Sequence, residues 1–144
     1  MSTTGIGTIP DADELLFRQV HPSFVRDGRV GSQAFRPTPK DEKMLSVAQS
    51  SKTTAQAAFE LHTQCKKLAS AGTWAVMLGE CQALGLPVRD DEVAEGPCPD
   101  PAHAVIDFAA LSNSKIEAQG SRLARHANDR GRLHPPVETD EPRE

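Results

Sequence analysis

Short apolar clusters, punctuated by proline, glycine and charge, fill the first third of the chain, and each is too brief for anything but a strand or a turn. LLFRQVH (15–21) reads as a strand closed by Pro22, which has no N–H to extend a ladder. SFV then meets Asp27-Gly28, a turn dipeptide. RVGSQAF (29–35) reads as a second strand, PTPKDEK as a solvated loop and MLSVA (44–48) as a third strand. From Thr53 to Ala71 the period changes to that of a helix, with Ala57, Ala58, Leu61, Cys65, Leu68 and Ala69 on one stripe. Thr53 and Gln56 have capping-box spacing, and Lys66 and Lys67 suit the C-terminal end of the macrodipole. Gly72 is placed to stop the helix in the left-handed conformation.

The second half repeats the scheme. TWAVML (73–78) is rich in strand formers and uncharged, which predicts a central strand, with ECQALG as a brief turn after it. Arg89 to Pro101 is an acidic, proline-rich loop. HAVIDF (103–108) has a continuous apolar middle, which predicts a strand buried on both faces. Ser114 and Glu117 form a second capping-box pair, and the helix they start carries Ile116, Gly120, Leu123 and Ala127 on one face before Gly131 ends it. A mid-helix glycine costs about 1 kcal/mol relative to alanine, so Gly120 predicts close packing against a neighbour. The order β-β-β-α-β-β-α defines an α+β domain: a small, mostly antiparallel sheet of about five strands packed by two amphipathic helices. The expected division is a disordered N-terminal tail over 1–13, a single domain over 14–132 and a disordered acidic tail over 133–144.

A length of 144 residues fits one such domain. No apolar run approaches the ~18 residues of a membrane span. The acidic start, MSTTGIGTIPDADE, lacks the apolar core of a secretory signal, so the expectation is a cytoplasmic, bacterial-type protein. Cys65, Cys81 and Cys98 are odd in number and include no CxxC pair, which predicts thiols rather than a disulfide scaffold or zinc ribbon, with Cys65 packed in its helix. The net charge of −4 hides segregation. Residues 16–40 carry Arg18, Arg26, Arg29, Arg36 and Lys40 against Asp27, whereas 73–111 carry Arg89 against seven acids. Such a bipolar chain favours a protein partner over generic nucleic-acid binding, which needs clustered positive charge.

Candidate chemistry is sparse. Arg18 shares a strand face with Leu16 and Val20, and a guanidinium among apolar residues needs a partner, as a phosphate or carboxylate clamp would have. His21, before Pro22, is either an acid–base group or a turn histidine bonded to backbone. Ser46 is a strand serine, and GxSxG is not matched around Ser32. His62 lies at the margin of the helix stripe, and His103, His126 and His134 have no metal-ligand spacing. Lys115, Arg122 and Arg125 form a basic helix back that reads as a solvated face or a weak nucleic-acid contact.

A strand with an arginine (LLFRQVH), a strand with a serine (MLSVA) and an alanine-rich helix directly after it (TTAQAAFELH) resemble the first half of ADP-ribosyltransferase-like domains, including the RES type. The resemblance implies NAD as cofactor, Arg18 as the residue that holds it and Ser46 as support for the nicotinamide ribose. That family also places an acid on a later strand; HAVIDF opens with His103 and carries Asp107 late. The chain has no tyrosine, so the tyrosine-bearing variant of the family does not apply.

Two function classes follow from these residues. The first is a non-catalytic binding or accessory protein without cofactor or metal, meeting a protein partner through Arg26, Arg29, Arg36 and Lys40 on the basic 18–40 surface. The alternative is an enzyme that cleaves NAD or transfers ADP-ribose with Arg18, His21 and Ser46. A nucleic-acid-binding protein is a third.

Overall fold

The structure, a computed structural model, describes residues 12–37 and 42–136. Residues 1–11 of the tail expected over 1–13, Lys40 in the PTPKDEK loop, and residues 137–144 of the tail expected over 133–144 lie outside the described residues. The strands are β1 (Leu15–Val20), β2 (Val25–Arg26), β3 (Arg29–Val30), β4 (Met44–Gln49), β5 (Gly72–Met77), β6 (Val88–Asp90) and β7 (His103–Asp107). The helices are α1 (Ala55–Glu60), α2 (Leu78–Ala83) and α3 (Asn113–Arg130). Five strands form one sheet in the order β5-β1-β4-β7-β6, antiparallel at every pairing, and β2 and β3 form a separate hairpin. The α+β class, the five-strand antiparallel sheet and the broad strand–helix order match the expectation.

Local chemistry explains where the elements start and stop. Asp27 and Gly28 adopt φ of 55° and 78°, the two left-handed positions of a tight hairpin turn. The hairpin is fastened to α3 by Asn128, whose side chain accepts from Val30 N and donates to Val30 O, both at 2.9 Å. α3 starts two residues before the expected Ser114 box, because the Ser112 hydroxyl accepts from Lys115 N. Its buried face is Ile116, Gly120, Leu123, Ala124 and Ala127, as the periodicity indicated. A Cβ on Gly120 would lie 3.2 Å from the carbonyl oxygens of both Ser32 and Phe35, so the close approach predicted for it is real.

Several expectations are corrected. RVGSQAF is a strand only at Arg29–Val30; Ser32–Phe35 is a 3-10 turn that drives Ala34 and Phe35 into the core. The long helix from Thr53 is capped by Thr54 instead and stops as an α-helix at Glu60. Leu61–Cys65 widens into a π-type turn, where the Thr63 hydroxyl donates back to Phe59 O at 2.9 Å, a bond that bends helices. Gly72 therefore opens β5 rather than closing a helix. ECQALG is not a bare turn: α2 begins at Leu78, with the Glu80 carboxylate accepting from Met77 N at 2.7 Å. Burial pulls the Glu80 pKa upward, but bonds from Arg130 and Met77 N outweigh it and hold the carboxyl below its ordinary value.

β5 is an edge strand, not a central one; β4 takes the centre. Its uncharged character suits an edge that is covered. Leu133 N donates to Thr73 O at 2.8 Å, Thr73 N donates to His134 O at 2.7 Å, and Arg130 Nη1 donates to Ala75 O at 3.0 Å. Leu133 and His134 thus belong to the fold, beyond the domain limit expected at 132. β7 is buried on one face only, through Ala104 and Ile106. Cys65 and Cys98, expected as thiols, are joined in a disulfide with Cα atoms 5.9 Å apart. The early end of α1 is the cause, since it takes Cys65 off the packed stripe and leaves it exposed. Cys81 remains a buried thiol, its pKa pushed up to about 12 by burial.

The sheet separates two cores. Leu16, Val20, Phe35, Leu45, Trp74, Val76, Ile106 and Phe108 pack under Leu123 and Ala127 of α3. The opposite face is thin: Phe17, Ala48, Ala58, Ala75 and Ala102, under the short α1.

Candidate functional site

The ladder between β1 and β4 consists of two pairs, Leu16–Gln49 and Phe17–Ala48. Beyond them β1 stays with β5 and β4 stays with β7, so the two central strands part company within the sheet. Arg18 fills the parting. Its Nε donates to Ala34 O at 2.8 Å and its Nη1 to Ser46 O at 3.0 Å. The partner demanded by a guanidinium on an apolar strand face thus includes two main-chain carbonyls.

Over this parting lies a cleft of about 260 Å³. β1 contributes Phe17, Arg18 and Gln19; β4 contributes Ser46, Val47 and Ala48. The turn after α1 adds Leu61, His62, Lys66 and Leu68, and Asp100 and His103 close the far side. Lys66 Nζ lies 3.4 Å from Asp100 Oδ2. His103 Nδ1 lies 2.8 Å from Asp91 O and 3.1 Å from Asp91 Oδ2. Leu68 is 52% exposed, an apolar side chain left at the rim. Among the lining residues two permanent cations and two imidazoles meet one carboxylate.

The electrostatics follow. Burial lowers the His62 pKa, and the positive charges of Lys66 and Arg18 lower it further, against a bond to the Ala69 backbone that raises it. His62 is therefore a neutral imidazole at pH 7, sitting in a positive field.

The structure brings Arg18 and Ser46 together and leaves His21 out. His21 caps the 3-10 turn Pro22–Phe24, its Nδ1 accepting from Ser23 N at 3.0 Å, with the ring tilted against Phe24. That is the turn-histidine role its position before proline allowed. Asp107 is bonded to Arg89 of β6 and caps Ala109 N, and it does not line the cleft. Arg26 and Arg29 face each other across the exposed β2–β3 hairpin. Arg36 lies over Gly120 of α3, 3.9 Å from Glu117. Lys115, Arg122 and Arg125 are exposed on α3. Lys66, Asp100 and His103 were not picked out as site residues by spacing, because they converge through a disulfide between residues 33 apart. The Cys65 and Cys98 positions were the available signal.

No protein-family model matches the chain, and no curated protein or solved structure matches it either. No helix among the described residues is long and apolar enough to cross a membrane.

Proposed function

We propose that the chain is a non-catalytic binding protein whose ligand is a small anion with an apolar body, held in the cleft between β1 and β4. The observation that carries this reading is the parting of those strands, which puts Arg18, His62 and Lys66 around an opening floored by Phe17 and Ala48. The cationic side supplies charge-assisted hydrogen bonds, and the apolar floor and the exposed Leu68 rim supply burial for a ring or short chain. A volume of about 260 Å³ sets the ligand size near the lower limit for such pockets.

Calorimetry with benzoate, phenyl phosphate, inorganic phosphate and benzyl alcohol tests it. The first two bind, and the latter two, lacking the apolar body or the charge, bind at least about tenfold more weakly, a difference of about 1.4 kcal/mol. Lys66→Met weakens the anions by a similar factor, whereas Arg26→Glu with Arg29→Glu leaves them unchanged. Equal binding of benzyl alcohol and benzoate sinks the reading.

A second reading is the NAD chemistry implied by the resemblance. It is supported by Arg18 and Ser46 lining one cleft with Asp100, and the volume suits the nicotinamide-ribose part rather than a whole dinucleotide. Its test is a nicotinamide-release assay on NAD with wild type and Asp100→Asn; no release by wild type ends it.

A further inference from the structure

The wall that carries His62 and Lys66 is built as a closed turn. Lys66 N donates to Leu61 O and Leu68 N to His62 O, so the segment satisfies its own backbone rather than joining the sheet. The facing wall is similar: Val93 and Asp100 exchange backbone bonds in a small excursion between β6 and β7. Among the described residues two adjacent ties join these walls, the Cys65–Cys98 disulfide and the Lys66–Asp100 ion pair. Cys65 is exposed and Cys98 half-buried, so a reductant reaches the bond, whereas Cys81 is buried with its thiol pKa near 12 and takes no part in exchange.

Resting on the reading of the cleft as an anion site, we infer that the Cys65–Cys98 disulfide is a redox latch on that site. Oxidised, it holds His62 and Lys66 in place over the opening, and a preorganised site binds more tightly. A dithiol reductant opens it. One thiolate of the reductant attacks a cystine sulfur, the S–S bond breaks and a mixed disulfide forms. The second thiol of the reductant resolves that intermediate, leaving Cys65 and Cys98 as thiols and the reductant as its own disulfide. Two electrons and two protons pass to the chain. The Lys66–Asp100 pair that remains spans 3.4 Å, with Asp100 buried and Lys66 half-buried, and a single ion pair tethers the walls less firmly than it does together with a covalent bond.

The experiment compares the full chain oxidised and after dithiothreitol treatment, by amide hydrogen exchange and by benzoate calorimetry. On reduction, exchange at Lys66 and Leu68 accelerates at least about tenfold while the β4 amides hold, and benzoate binds roughly tenfold more weakly. Unchanged exchange at those amides overturns the latch, and so does accelerated exchange with unchanged affinity. Accelerated exchange with no binding of benzoate or phenyl phosphate in either state supports the mechanical latch and removes the anion-site reading instead. The Cys65→Ser, Cys98→Ser double variant reproduces the reduced state; should it not fold, dithiol-treated wild type carries the comparison.

Discussion

The two faces of the sheet are built by different rules. Under the 18-residue α3, large side chains such as Trp74, Phe35, Phe108 and Leu123 interdigitate and are almost fully buried. Under the six-residue α1, four of the five buried residues are alanines, and the cover then becomes a turn held by a disulfide. Alanine leaves room, and a short helix leaves an opening. The thin face is where polar groups converge, because close packing on the other side leaves no space for a ligand.

The largest test of that contrast is truncation on each side. Leu123→Ala under α3 is expected to lose about 3–4 kcal/mol in urea unfolding, whereas Leu61→Ala, half-exposed at the cleft, loses about 1 kcal/mol. Similar losses would erase the distinction between the faces. Next is the disulfide. Closing a 33-residue separation restricts the unfolded chain, so reduction is expected to lower stability by roughly 3 kcal/mol, read as a shift of the urea midpoint with and without dithiol. Gly120→Val sharpens the description of the packed face: the carbonyls of Ser32 and Phe35 cannot yield, and about 2 kcal/mol is lost, whereas Gly85→Val, with open space around its Cβ, suffers only backbone strain.

The smallest effect is on the thin face. His62 binds a proton near 6.5 when unfolded and only at lower pH when folded. The unfolded chain therefore takes up more protons across that window, so stability is complete above 6.5 and declines as pH falls from there through the folded value. His62→Gln is expected to flatten that decline in urea midpoints measured from pH 7.5 to 5; an unchanged slope would move the titration to another group.

The packed face was largely legible in the sequence. The face of α3, the closeness at Gly120 and the stop at Gly131 all follow from helical spacing, since a helix with one apolar stripe has one way to lie on a sheet. The thin face was not. The Leu61–Leu68 stripe continues the period of α1, and nothing in it announces that Thr63 bends the chain away after Glu60. Arg18 and Ser46 were identified as candidates on separate strands, yet the parting that joins them arises from pairing preferences of β5 and β7, which no local pattern encodes. Strand pairing also explains the misplacement of β5. Its composition reports how well it is shielded, and the shield comes from residues 130–134, read as helix end and tail.

That shield has a consequence for handling the protein. Shortening the chain to Arg130 would strip Leu133 and His134 from Thr73 and expose an uncharged ribbon along Gly72–Met77. Copies so trimmed are expected to pair edge to edge through the main-chain groups left bare at Thr73.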